Sequence, residues 1–137
     1  MLAPHLVRAF NTAKASENKI HDDSVAARFG FTGGLVPGVD VYAYMTHQPG
    51  AKWGRAWLEH GSIECRFGKP VYGGELAEID ATEIAGGIGL SVTSKGDSCA
   101  MGSAALLPAE PVPDLADWTL ATVPDQRPPA SEASLPV

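Results

Sequence analysis

The sequence predicts an α+β domain in which an antiparallel sheet wraps one long apolar helix. Three observations carry this. The run "GVDVYAYMTH" from Gly38 is apolar nearly all the way round, as a helix buried on most sides requires. Four stretches of period-two alternation follow it, separated by turn residues. Helix followed by a run of strands, rather than regular alternation of the two, is the pattern of an α+β fold with hairpin-connected strands.

The first strand is predicted over His5–Thr12, where Leu6, Arg8 and Phe10 alternate with Val7 and Ala9. The polar cluster Ser16–Asp23 breaks that pattern. Asp22 or Asp23 then caps a short helix, Ser24–Phe29, which Gly30 ends. "GFTGGLVPG" holds four glycines and one proline in nine residues, which predicts sharp turns and close backbone approach. Pro37 preforms the start of the long helix, and Asp40 in its first turn suits the helix dipole. This helix is predicted to end near Gln48-Pro49-Gly50. After "AKWGRAWLEHG" the character changes to β. "SIECRF" sets Ile63, Cys65 and Phe67 on one face. "LAEIDATEI" sets Ala77, Ile79 and Ala81 opposite Leu76, Glu78, Asp80 and Thr82. "LSVTSK" and "CAMGSAALL" complete the set, with "GGIG" as a turn and "KGDS" as a tight hairpin. Tyr42, Tyr44, Trp53 and Trp57 are expected in the core or an interface.

Composition narrows the function. With 45% hydrophobic residues among 137, the chain can build a core without metal or disulfide staples. Ten Lys and Arg against 16 Asp and Glu give a net charge of -6, which argues against a nucleic-acid surface but leaves room for a small anionic ligand. Cys65 and Cys99 show no CxxC spacing, so they are expected as reduced, packed thiols. "MLAPHLVRAF" has no long apolar run. Neither signal peptide nor membrane span is expected, and a cytoplasmic location is the default. Seven of the 11 prolines lie in the last 30 residues. Residues 1–107 are therefore expected to form the domain and 108–137 a Pro-rich extended tail or linker. Leu115, Trp118 and Leu120 are expected to pack this tail, and its linker-like end suggests that more protein follows in the natural product. "GGIG" lacks the third glycine of a dinucleotide loop, and no nucleophile elbow or Walker loop occurs.

The polar cluster is the chemical candidate. Read from the residues alone, His21 is either a base with helpers around it or a loop histidine that bonds the backbone and turns the chain into the short helix. Asp22 and Asp23 read as capping or solvated groups, and Ser16 as a water-positioning or locally bonded hydroxyl. His5, His47 and His60 lack metal-ligand spacing, so no metal site is expected. His47 lies near the end of the long helix, where a partly charged imidazole suits the dipole.

"NKIHDDSVAARFGFTGGLVPG" resembles the MaoC-like, or hydratase-2, branch of the hotdog-fold superfamily. That family's motif runs Asp, any residue, Asn, Pro, an aliphatic, His, five residues, then Ala or Ser. Asn18, Ile20, His21 and Ala27 stand at the matching places, and Asp23 matches a common extension. "GLVPG" resembles the family's lead-in to the central helix, and "ECRFGKPVYGGE" its strand with "PV" and a glycine turn. The resemblance runs from about Ala9 to Leu107. It implies a hotdog fold with a short overhanging helix, and an enzyme that adds water to a trans-2-enoyl thioester or removes it from a 3-hydroxyacyl thioester. It implies that His21 is catalytic and that the amide of Gly38 receives the thioester oxygen, with Asn18 and Val39 as further substrate-binding candidates.

Two residues depart from the motif. Ser16 stands where the family has its catalytic Asp, and Lys19 where it has Pro. A serine cannot replace a carboxylate as proton donor or acceptor near neutral pH. Glu17, beside it, is the substitute catalytic candidate. Three readings follow: a hydratase or dehydratase homologue with an altered dyad; a non-catalytic acyl-CoA-binding or scaffolding unit paired with a second hotdog; or a thioesterase using Asp40. In each the ligand is a CoA or acyl-carrier thioester and no separate cofactor is expected. A homodimer or a paired second hotdog is expected, because a lone hotdog leaves a sheet edge and a half-built pocket. Neither nucleic acid nor membrane is an expected partner.

Overall fold

Alternating apolar residues become five strands, and the apolar run before them becomes the helix that they wrap. The computed structural model describes residues 2–15, 17 and 19–122. Strand β1 is His5–Arg8. A 3₁₀ turn over Lys19–His21 leads to α1, Asp23–Arg28, and then to α2, Gly38–Trp53, and α3, Arg55–His60. Strands β2 (Gly61–Phe67), β3 (Leu76–Ile84), β4 (Gly87–Ser94) and β5 (Asp97–Leu106) follow. All pairings are antiparallel, in the order β1-β3-β4-β5-β2.

The core lies between one face of this sheet and α2. Ala77 and Ile79 of β3, Ile88, Leu90 and Val92 of β4, and Ala100 and Ala104 of β5 are buried there. Val41 and Met45 of α2 meet them. The alanines bring the helix close to the middle strands, where β-branched residues fill the remaining space. Gln48 is the polar member of this layer. Its Nε2 donates to the carbonyls of Ile79, at 2.9 Å, and Ala3, at 3.1 Å. The buried amide is thereby satisfied, and it ties the N-terminal segment to the sheet. Turn chemistry fixes the β4–β5 register: Lys95 (φ 50°) and Gly96 (φ 79°) are the two left-handed residues of a type I′ hairpin, as "KGDS" predicts. A register shift at Val92/Thr93 lets Cys99 and Ala100 both turn inward.

Several expectations need correction. Strand β1 stops at Arg8 rather than Thr12, because the Asn11 side chain accepts from the Ala13 N–H and starts a local turn. Helix α2 runs through Pro49 to Trp53 instead of ending near it. The proline ring is buried there, and its missing N–H forfeits only one helical bond, that to the Met45 carbonyl. Gly54 (φ 58°) then turns the chain into α3, which no sequence pattern announced. Nor is α2 buried on most sides in one copy of the chain: its buried residues are Val41, Met45, Gln48 and Pro49, while Val39 is 74% exposed. Trp57 is buried, and Tyr44 and Trp53 pack partly against the core. Leu115, Trp118 and Leu120 are exposed, so they do not pack the tail on to the domain.

Strand β1 is also gripped by α2 through a ring pair. His5 stacks on His47 with centroids 3.6 Å apart and planes 7° apart. Burial, and then the neighbouring His47, hold the His5 pKa below its ordinary value. The unfolded chain therefore takes up this proton more readily than the folded one. Stability present above about pH 6.5 is lost as pH falls from there through the depressed folded value. Urea midpoints should drop between about pH 7.5 and 5.5, where carboxylates stay ionised, and drop less in His5→Gln. A wild-type midpoint that stays flat over this window would contradict the assignment. A second expectation concerns Gly50, which lies inside α2 with open space where a methyl would go. Gly50→Ala should raise stability by about 0.5–1 kcal/mol, read as a higher urea midpoint at unchanged slope.

Candidate functional site

Residues 19–23 of the polar cluster lie across the lead-in to α2. Asp22 caps α1, accepting from the Ser24 N–H at 2.9 Å and the Val25 N–H at 3.3 Å. The Ser24 hydroxyl and then these amides hold its carboxyl below the usual range. After α1, Gly30 (φ 86°) reverses the chain, and Thr32–Gly34 brings it back under the loop. The Gly34 N–H donates to Asp23 Oδ1 at 2.6 Å. A methyl at position 34 would overlap the His21 carbonyl oxygen, so only glycine lets the two backbones meet. Asn11, 4% exposed, donates from Nδ2 to the same His21 carbonyl at 2.7 Å.

The His21 ring is half-buried and points its Nδ1 at the Leu35 carbonyl, 2.6 Å away. A carbonyl only accepts, so Nδ1 carries the hydrogen, and the neutral imidazole keeps its lone pair on Nε2. Leu35 bridges Tyr72, and the Val36 N–H donates to the Val71 carbonyl at 2.9 Å. This strap delivers the chain to Pro37 and α2. The Asp40 and Val41 amides turn back to the Pro37 carbonyl, at 3.0 and 3.2 Å. Pro37 provides no side-chain cap, and the amides of Gly38 and Val39 lack an intrahelical acceptor and bond no backbone carbonyl among the described residues. The ring of Phe67, at the end of β2, stands where a methyl on Gly38 would touch it, at 3.4 Å.

Of the residues singled out in the sequence, His21 is thus bonded to a residue three positions before Gly38, and Val39 follows on the same helix start. Glu17 is exposed, and no carboxylate among the described residues bonds the His21 ring. Ser16 and Asn18 lie outside the described residues. Asp40 is engaged by the Thr12 hydroxyl, at 2.6 Å. Asn11 and Gly34 were missed as contributors. An isolated Asn after a strand carries no signal, whereas the Gly33-Gly34 pair did predict close backbone approach.

Three cavities lie away from the His21 ring, the second of them behind the loop at Asn11, Asp23 and Gly34. A groove of about 740 Å³ crosses the outer sheet face, between Asp80, Ser91, Met101 and Arg66. A polar cavity of about 470 Å³ lies between Asn11, Asp23, Tyr72 and Glu75. An apolar one of about 370 Å³ sits at Leu2 and Ile88. None of the three is lined by His21 or Gly38. Among the described residues no group of three His, Cys, Asp or Glu could hold a metal, and no helix is long and apolar enough to cross a membrane.

The importance of the backbone contact is testable by Gly34→Ala. Overpacking against a main-chain oxygen should cost about 1–3 kcal/mol, read as a lower urea midpoint. A neutral result would mean that the loop can move away from α2 without penalty.

No family model and no curated protein matches the sequence. Solved structures do match the fold. An (R)-hydratase from A. caviae involved in PHA biosynthesis superposes with a TM-score of 0.55 at 19% identity, over 77% of this chain and 93% of the other. The ChsH1–ChsH2 complex from Mycobacterium tuberculosis gives 0.56 at 16% identity, over 77% and 94%. Protein af1124 from Archaeoglobus fulgidus gives 0.51 at 16% identity, over 76% and 75%. Five antiparallel strands wrapped on one central helix, shared with these structures, make this a hotdog fold, as the resemblance of its loop and helix lead-in to the MaoC-like branch implies.

Proposed function

We propose that the chain is an acyl-thioester-binding hotdog unit of the hydratase kind, which keeps the base and the oxyanion site but has no acid in its own loop. One observation carries this. His21 is locked against the lead-in to α2, where two amides are open, while Asp22, Asp23 and Asp40 are committed to structural bonds and Glu17 is exposed. Open amides at a helix start favour negative charge, so they suit the oxygen of a thioester or its enolate. The Asp40 contact with Thr12 weighs against the thioesterase reading, which needs that carboxylate turned to the thioester.

The unit is proposed to work as a pair, with a second copy or a second hotdog. Strands β1 and β2 end the sheet, and β2 presents a seven-residue edge. None of the three cavities found among the described residues is lined by His21, so the acyl slot is proposed to form between two units. The ChsH1–ChsH2 complex, similar in fold, supports such pairing.

The Leu35 bond favours a second reading, slow hydration with His21 as sole proton carrier. Water oxygen would add to C3 as its proton passes to Nε2. The π electrons would move through C2 to the thioester oxygen at the Gly38 amide, and Nε2 would return the proton to C2. One group then serves as base and acid. A positioned partner is commonly worth roughly 10²- to 10⁴-fold, so the rate would fall by about that factor relative to a complete dyad.

Hydration of a short trans-2-enoyl-CoA, followed by loss of conjugated absorbance, separates the two readings when wild type and His21→Ala are compared beside calorimetric binding of the saturated acyl-CoA. Binding without hydration in either protein is the outcome expected of the binding unit. Slow hydration that disappears in His21→Ala would establish the second reading. Failure to bind acyl-CoA or an acyl-carrier thioester would end both.

A further inference from the structure

We infer that Asn11 and Asp23 are positioning residues for His21, acting through the main chain to hold its imidazole in the Nδ1–H form and so keep Nε2 a proton acceptor. The inference rests on the reading above, in which His21 is the reacting group of the site.

Asn11 is buried, and its amide is engaged on both its nitrogen and its oxygen. Nδ2 donates to the His21 carbonyl, and Oδ1 accepts from the Ala13 N–H at 3.0 Å. Without Asn11 the His21 carbonyl would lose this donor, and the loop would lose its link to the segment after β1. Asp23 works from the other side. It is exposed on α1, yet its Oδ1 is spent on the Gly34 N–H, one residue before the carbonyl that receives Nδ1–H. Asn11 therefore fixes the backbone that carries the ring, and Asp23 fixes the backbone that the ring bonds. A methyl at position 34 would also come within 3.0 Å of Asn11 Nδ2, so the two halves of the clamp meet at Gly34.

The chemical consequence follows from the tautomer. An imidazole in water exchanges its hydrogen between both nitrogens, and a held acceptor at one nitrogen selects which keeps it. Here the acceptor is the Leu35 carbonyl, whose peptide is held on one side by the Val36 N–H on Val71 and, one peptide earlier, by Asp23 on the Gly34 N–H. A ring so held must take a proton at Nε2 before it can give one there. The site is thereby preset to begin by accepting a proton, from water or from the carbon beside a thioester.

Long-range ¹H–¹⁵N NMR of the ¹⁵N-labelled full chain reads this directly, with His21 assigned by His21→Gln. Wild type should show His21 mainly as Nδ1–H. In Asn11→Ala and in Asp23→Ala the ratio of Nδ1–H to Nε2–H should fall roughly 2- to 10-fold, the equivalent of losing one ordinary hydrogen bond, with the remaining amide spectrum preserved. Asp23→Asn, which retains an accepting oxygen, should restore the ratio. An unchanged ratio in the folded variants, or a wild-type ring in the Nε2–H form, overturns the inference. If Asn11→Ala does not fold, Asp23→Ala decides alone by the same criterion. Acyl-CoA binding, measured separately, keeps the two claims apart. A shifted tautomer in a chain that binds no thioester leaves the positioning role standing and defeats the site; bound thioester with an unmoved tautomer defeats only the positioning.

Discussion

Backbone packs on backbone where Gly34 passes the carbonyl of His21, and this contact sets how far the overhanging loop stands from the start of α2. Everything chemical at this end of the molecule hangs from it. The Leu35 carbonyl can reach Nδ1 only because Gly34 lets the strap run beneath the loop. The strap is itself tied to residues 71 and 72, just ahead of β3, so the sheet fixes its level. Geometry at the site is thus set mainly by main-chain bonds. That explains how Lys19 is accommodated where the related motif has proline. The turn at this point is closed by the Asp22 N–H on the Lys19 carbonyl, at 2.9 Å, and either residue type supplies that carbonyl.

The same helix has a second constraint at its surface. Its sequence is apolar nearly all round, but a sheet can bury only the face it wraps. Met45 is fully covered while Val39, earlier on the same helix, is 74% exposed. Val39 lies at the helix start beside Gly38, near the exposed part of Phe67 at the end of an edge strand. Apolar surface next to an unpaired sheet edge and open amides is what a half-site presents. It fits the proposed pairing better than a self-contained pocket, and the outer groove, which shares none of the candidate residues, offers no substitute.

The strands were legible because burial on one face leaves a period-two record that neighbouring turns do not disturb. "LAEIDATEI" became β3 residue for residue, and "KGDS" became the hairpin its glycine required. The cap of α1 was legible for a related reason, since Asp22 competes for free amides by chemistry local to the sequence. Pro49 misled because its local rule, no N–H and no helix interior, costs a single helical bond where the ring is buried. Asn11 was invisible because its role depends on a carbonyl ten residues away, reached only after the loop has folded. The catalytic pattern stands between these cases. His21 and Gly38 announced themselves through motif and helix lead-in; the ring bonds the backbone through one nitrogen, as expected of a turn-making histidine, and its reacting role stays a proposal.

The sequence puts Ser16 where the motif has its acid, and a serine carries no charge with which to hold or deliver a proton near neutrality. Asp40 at the first turn is held to Thr12. Binding of a polarised thioester needs only the amides and an apolar wall such as Phe67, whereas turnover needs a proton on C2 as well. In the proposed reading the α2 amides and Phe67 serve the first requirement, and Ser16 at the motif's acid position leaves the second without a dedicated group.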